Sequence, residues 1–118
     1  MKSIELVKFT CKLLDNKKAT DIAVLDIRKL SSLGDYFVVA SGTSTIHVKA
    51  LAGELEEKLA VHGIRPGRVE GEKSAVWILL DYNDVIIHIF NHETRNFYCL
   101  ERLWGDAPRL DEKDIEQE

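Results

Sequence analysis

Acidic side chains in the second half of the chain are spaced as if to hold metal ions. Glu70 and Glu72 are two positions apart, and Asp81 and Asp84 follow later. Alternate residues of a strand point to one face, where paired carboxylates can hold the two magnesium ions of a nucleotidyl-transfer reaction. The glycines around Glu70 favour a loop instead, and no basic cluster accompanies them to clamp a triphosphate. We therefore predict no catalytic residues and a protein that is not an enzyme. The alternative is a nucleotidyltransferase-like nucleotide-binding protein.

The segment Ser41-Gly42-Thr43-Ser44 lies where a predicted strand meets a predicted helix. Backbone N–H groups at a helix N-terminus, together with the hydroxyls of Thr43 and Ser44, can hold an anion or phosphate. The same residues also make an ordinary helix cap, with the glycine easing the turn. The segment lacks the lysine of a Walker A loop and the spacing of a dinucleotide-binding fingerprint. Thr43 and Ser44 are a possible anion site, and the cap is the favoured interpretation.

The histidines indicate neither a metal nor a cofactor. His88 and His92 are four positions apart, which across the end of a strand separates them by roughly 13 Å. We expect His88 to lie on a sheet face as a hydrogen-bonding partner. His47 and His62 fall on a predicted helix and are expected at the surface.

The two cysteines, Cys11 and Cys99, form no Cys-x-x-Cys pair and fall on separate predicted helices. We expect them to be reduced and buried as small apolar residues. No serine or cysteine has a recognisable His/Asp partner set, so nucleophilic catalysis has no support.

Hydrophobic periodicity predicts the elements that position these residues. In chain order they are a helix over 3–15 with Ser3 as its cap, strands over 21–28 and 36–41, a helix from the Gly42 segment to about 62, a weak strand around Val69, a strand pair turning at 82–84, and a helix from about 94 to 104. The long helix has a buried stripe at Val48, Leu51, Ala52, Leu55 and Leu59, and Gly63 is its natural stop. This order predicts an α/β fold of two or three layers, in which one mixed sheet of about five strands carries three helices on at least one face.

The strand pair between residues 76 and 90 has two unlike faces, because side chains alternate along a strand. One face is aliphatic and can pack on helices; it carries Val76, Ile78, Leu80, Val85, Ile87 and Ile89. The opposite face, called the Trp77 face below, carries Trp77, Leu79, Asp81, Asp84, Ile86, His88 and Phe90. Large aromatics mixed with polar groups are more typical of a surface that meets another protein than of a core. We therefore predict an interface at Trp77, with a core position as the alternative.

The net charge of −4 is concentrated at the C-terminus. Residues 106–118 hold six acids and two bases, which leaves 14 acids and 14 bases in residues 1–105. We interpret residues 1–105 as one domain and residues 106–118 as an acidic tail. A neutral domain argues against affinity that comes from phosphate contacts, so we expect no direct dependence on nucleic acid. Neither a membrane-spanning run nor a signal peptide is visible, so we expect a cytoplasmic protein, or one in the equivalent compartment of an organelle.

Several motifs, in order, resemble the ribosomal silencing factors, the RsfS or Iojap family. They are Asp21-Ile-Ala-Val-Leu-Asp-Ile-Arg, Leu33-Gly-Asp-Tyr-Phe-Val-Val-Ala-Ser-Gly-Thr-Ser, Trp77-Ile-Leu-Leu-Asp-Tyr, Val85-Ile-Ile-His-Ile-Phe, Arg95-Asn-Phe-Tyr and Leu100-Glu-Arg-Leu-Trp-Gly-Asp-Ala-Pro. The resemblance runs from about Ile4 to Leu110, nearly the whole domain. The chain departs from the usual pattern at Val76, where a small or polar residue is frequent, and at Asn83, where glycine is usual.

The resemblance implies a fold akin to nucleotidyltransferases without their catalytic carboxylates. It also implies binding to the large ribosomal subunit through its universal protein fourteen, which blocks association with the small subunit and represses translation under nutrient limitation. Members of the family are often homodimers when free. The motif residues carried over by position are Asp35, Tyr36, Ser41, Gly42, Trp77, Asp81, His88, Phe90, Arg95, Tyr98, Glu101 and Trp104. With the face analysis, the resemblance predicts a partner-binding set of Trp77, Leu79, Asp81, His88, Phe90, Tyr98 and Trp104.

Overall fold

Six strands form one mixed sheet in the spatial order β3-β4-β5-β2-β1-β6. The computed structural model describes residues 1–29, 32, 34–94 and 109–110. The strands are β1 (Thr20–Asp26), β2 (Tyr36–Gly42), β3 (Arg68–Glu70), β4 (Trp77–Asp81), β5 (Val85–Asn91) and β6 (Arg109–Leu110). Only β2 and β5 run parallel to each other; every other neighbouring pair is antiparallel. The predicted mixed sheet is confirmed, with six strands rather than about five.

Two helices, α1 (Ser3–Asn16) and α2 (Thr45–Val61), pack on one face of this sheet. The buried residues of α2 are the five predicted from helical spacing. Ser44 caps the helix by accepting a hydrogen bond from the backbone N–H of His47 at 3.1 Å. The helix ends where Gly63 takes a positive φ of 76°, a conformation that glycine adopts without strain. No helix in the described part of the chain is long and apolar enough to cross a bilayer.

The sheet separates two apolar clusters. The larger one fills the space between the sheet and the helices and includes Ile78, Leu80, Val85, Ile87 and Ile89 from the hairpin. The smaller one lies on the other side of the sheet and consists of Leu25, Ile27, Phe37, Val39, Ile86 and Phe90, with Trp77 and Leu79 packed against it. The two-faced hairpin predicted from alternation is therefore present, and its aliphatic face packs on the helices.

Three local predictions are corrected by the structure. Ser3 is not a cap but the first residue of α1, and its hydroxyl donates to Asp35 Oδ2 at 2.7 Å. Val76 does not join the aliphatic face, because the chain turns at Ala75 with a φ of 54° and leaves Val76 40% exposed. Arg109 and Leu110, assigned from sequence to the acidic tail, pair with β1 as the edge strand β6.

The predicted third helix, from about 94 to 104, falls almost entirely outside the described residues. The same applies to Arg95, Tyr98, Cys99, Glu101 and Trp104 among the residues singled out above.

Candidate functional site

The Trp77 face is built on the antiparallel β4–β5 pair. Its register places Trp77 opposite Phe90, Leu79 opposite His88 and Asp81 opposite Ile86. Directly opposed side chains lie close enough to pack, so each cross-strand pair is one step of a continuous surface. The parallel strand β2 extends this surface by setting Val39 beside His88.

Aromatic rings pack against one another in the centre of this face. The Trp77 and Phe90 rings are stacked, with centroids 5.0 Å apart and an interplanar angle of 24°. Phe37 meets the ring of His88 edge to face, at 4.8 Å and 68°. Offset-stacked and edge-to-face pairs are the arrangements that aromatic quadrupoles favour. The rings therefore form a rigid platform under Trp77.

His88 is the polar member of this platform. Trp77 Nε1–H donates to His88 Nδ1 at 3.1 Å, which confirms the prediction that His88 is a hydrogen-bonding partner. Burial lowers the pKa of His88 to about 4, so its ring is neutral near pH 7. Because Nδ1 accepts, the proton of the neutral ring lies on Nε2. Nε2 is buried and has no hydrogen-bond partner among the described residues.

The predicted residues of this face differ in exposure. Phe90 is 0% exposed and His88 4%, so both form the floor of the face. Trp77, Leu79 and Asp81 are half-buried, and Asp84 is exposed. The side chains of the partner-binding set that a partner can reach directly are therefore, among the described residues, Trp77, Leu79 and Asp81.

Charged groups surround the Asp81 end of β4. Arg68 of the neighbouring strand places Nη2 3.8 Å from Asp81 Oδ2 and Nε 3.8 Å from Glu70 Oε1. Asp81 Oδ1 also accepts from the backbone N–H of Asn83 at 2.8 Å, in the turn where Asn83 has a φ of 73°. These pairs make a charged rim whose exposed members contribute little to stability. Sequence reasoning missed Arg68, because only the β3–β4 register brings it to Asp81.

The carboxylates considered for metal binding do not converge. Glu70 lies on β3, faces Arg68 and is exposed, and Glu72 is exposed in the following turn. In the part of the chain that the structure describes, no three His, Cys, Asp or Glu side chains form a group that could hold a metal ion. His88 is buried in β5, whereas His92 is exposed beyond its end.

Thr43 and Ser44, the possible anion site, are engaged in the cap of α2. Ser44 accepts from the backbone N–H of His47, and the backbone N–H of Thr43 donates to His47 Nδ1 at 2.9 Å. His47 Nε2 in turn donates to the carbonyl oxygen of Lys17 at 2.9 Å. His47 is thus a half-buried bridge between α1 and α2 and not the surface residue that was expected. Two donors that an anion could use, the backbone N–H groups of Thr43 and His47, therefore already have acceptors within the chain.

The remaining described motif residues stabilise the fold near β2. Asp35 holds Ser3 at the start of α1, and Tyr36 is buried with the Arg28 guanidinium 5.2 Å from its ring centroid. A Cβ on Gly42 would lie 2.9 Å from Val48 Cγ2 and 3.1 Å from its backbone nitrogen. Gly42 therefore allows α2 to approach the end of β2 closely.

Comparison with known proteins identifies the family. A family model described as "Ribosomal silencing factor during starvation" matches residues 1–118. The chain belongs to the ribosomal silencing factor family. The chain is 38% identical over 111 residues to the ribosomal silencing factor RsfS of Bacillus subtilis, covering 94% of each chain.

Further matches include a solved structure and a longer protein from mouse. A crystal structure of a Chromobacterium violaceum protein superposes with a TM-score of 0.85 at 38% identity, covering 89% of this chain and 88% of that one. A mouse protein named "Mitochondrial assembly of ribosomal large subunit protein 1" is 35% identical over 95 residues, which is 78% of this chain and 42% of the mouse protein. The resemblance stated from the sequence motifs is therefore confirmed.

Proposed function

We propose that this chain binds the large ribosomal subunit through its universal protein fourteen and sterically blocks association with the small subunit. Membership of the silencing-factor family supports a ribosomal partner, and the name of the mouse relative points to the large subunit. Occupying the joining surface represses translation without any catalytic step, as a cytoplasmic response to scarce nutrients. We also propose that the free chain forms homodimers.

The Trp77 face is the docking surface in this proposal. The observation that carries it is the half-buried Trp77, held on a buried floor of Phe90 and His88. Binding hot spots are typically aromatic residues in rigid, well-packed surroundings, with charged groups at the rim. Leu79 extends the apolar centre, and the ion pair between Arg68 and Asp81 forms part of the rim.

Co-sedimentation with purified large subunits tests this surface. Trp77→Ala and Leu79→Ala truncate the reachable apolar side chains, and the tryptophan change should weaken binding by about 2 kcal/mol, or roughly 30-fold. Phe90→Ala is unsuitable because Phe90 is fully buried and its loss would destabilise the fold. Ile46→Ala is the matched control, since Ile46 is 80% exposed on α2 and lies outside the Trp77 face.

Two results would contradict the proposal. One is a folded Trp77→Ala protein that co-sediments as well as the native chain and the Ile46→Ala control. The other concerns mechanism: light scattering follows subunit association after large subunits are preincubated with the chain, and association that the native chain leaves unchanged would contradict the steric block. Association should be inhibited by the native chain and restored by Trp77→Ala. Sedimentation equilibrium of the same variants reports whether the homodimer uses this face.

A further inference from the structure

The indole of Trp77 has its only hydrogen-bonding group occupied inside the chain. Tryptophan carries a single donor, Nε1–H, and no acceptor. In this structure that donor is directed to His88 Nδ1 at 3.1 Å. An exposed tryptophan ordinarily presents an apolar body and a polar tip to its partner. Here the tip faces the sheet, and the rest of the half-buried indole is apolar.

His88 is held firmly as the acceptor. It is 4% exposed on β5, and the ring of Phe37 contacts it edge to face at 4.8 Å. The ring of Phe90 lies nearly parallel to it, at 6.4 Å and 16°. Burial also keeps the imidazole neutral, because it lowers the pKa of His88 to about 4. The neutral His88 ring accepts at Nδ1, so a ring flip would break the hydrogen bond to Trp77.

Resting on the proposed docking function of the Trp77 face, we propose that His88 is a positioning residue that makes Trp77 an entirely apolar contact. The partner group seated on the indole is then an aliphatic or aromatic side chain of a protein. A phosphate or a carboxylate would need a donor that Trp77 no longer offers. Arg68, on β3 beside the Asp81 end of β4, already faces Asp81 and Glu70.

Substitutions at both residues separate this role from simple packing. His88→Asn keeps an acceptor oxygen near the position of Nδ1, whereas His88→Leu removes it. Trp77→Phe keeps an aromatic ring but has no N–H. Large-subunit affinity is measured for the single variants and for Trp77→Phe combined with His88→Leu, as a double-mutant cycle. The indole ¹H–¹⁵N signal of Trp77 in the free protein reports the hydrogen bond directly.

The proposal predicts a definite pattern. Trp77→Phe weakens binding about threefold and Trp77→Ala about 30-fold. His88→Leu weakens binding about tenfold and shifts the indole signal. His88→Asn keeps most of the native affinity and leaves the indole signal near its native position. In the Trp77→Phe background, His88→Leu adds less than about twofold, because no indole donor remains to be positioned.

Three results would overturn it. If Trp77→Phe costs as much as Trp77→Ala, the partner accepts a hydrogen bond from the indole. If His88→Asn and His88→Leu weaken binding equally, His88 contributes only packing. If His88→Leu binds like the native chain, positioning is irrelevant. Should His88→Leu fail to fold, the comparison of Trp77→Phe with Trp77→Ala still decides the chemistry of the contact. A Trp77→Ala protein that binds normally refutes the docking surface itself, which is a different outcome.

Discussion

Replacing Gly71 by alanine should strain the turn that leads into β4. Gly71 has a φ of 84°, and a Cβ built on it would overlap the carbonyl oxygen of Trp77 and lie 3.0 Å from the carbonyl carbon. Both atoms belong to the backbone of β4, so no side-chain rotation can relieve the overlap. The Gly71 carbonyl also accepts from the N–H of Ala75 at 2.9 Å, which ties the turn together.

The magnitude follows from two separate costs. A left-handed φ costs an alanine about 1 kcal/mol. Forcing extra volume into a packed site adds about 1–3 kcal/mol. Gly71→Ala should therefore destabilise the fold by about 2–4 kcal/mol. For a domain of this size, about 4 °C in Tm corresponds to 1 kcal/mol, so the midpoint should fall by roughly 8–16 °C.

Two other glycines provide matched controls. Gly63 has a similar φ of 76° but nothing lies within 4 Å of its built Cβ, so Gly63→Ala should cost only the conformational part, about 1 kcal/mol. Gly53 is inside α2, also with nothing within 4 Å, so Gly53→Ala should stabilise the fold by about 0.5–1 kcal/mol. Urea and thermal unfolding measure the stability of all three variants against that of the native chain. Equal losses for Gly71→Ala and Gly63→Ala would refute the close approach of Gly71 to Trp77.

Two further predictions concern titratable groups. The pKa of His88 is lowered from 6.5 to about 4 by burial, so the unfolded chain binds more protons than the native one in that interval. The free energy of unfolding should therefore rise by up to about 3 kcal/mol from pH 4 to 6.5 and flatten above. Urea unfolding between pH 4 and 8 should show this slope for the native chain and a reduced slope for His88→Asn, and identical slopes would contradict it. Burial raises the pKa of the Cys11 thiol to about 11. In a Cys99→Ser variant, Cys11 should therefore react slowly with a thiol reagent at pH 8 until urea is added. Rapid labelling of the folded protein would show that Cys11 is accessible as a thiolate.

Local patterns allowed several elements to be predicted from the sequence. The spacing of Val48, Leu51 and Leu55 encodes one face of α2, and Ser44 supplies its cap from the adjacent position. The alternation on either side of Asn83 encodes the β4–β5 hairpin, whose turn needs only a residue that tolerates positive φ. The residues of each such signal lie close together in sequence, so the signal can be recognised without knowledge of the rest of the fold.

Contacts between distant residues could not be predicted in this way. Ser3 and Asp35 are 32 positions apart, and their hydrogen bond replaces the cap expected at Ser3. The pairing of Leu110 with Val24 depends on which edge of the sheet is open, a property of the whole sheet. The parallel pairing of β2 with β5, which brings Phe37 beside Ile86, likewise has no local signal.

The candidate site also combines features that the sequence predicted with features that depend on the tertiary structure. Sequence alternation alone assigned Trp77, His88 and Phe90 to one face, and the motifs alone indicated the family. Only the tertiary structure shows that Phe90 and His88 form a buried floor and that Trp77 donates to His88 Nδ1. Alternation determines the side of a strand on which a residue lies, because it is a geometric property of the extended backbone. Depth and hydrogen-bond partners depend on what packs over that side, and only the assembled fold determines them.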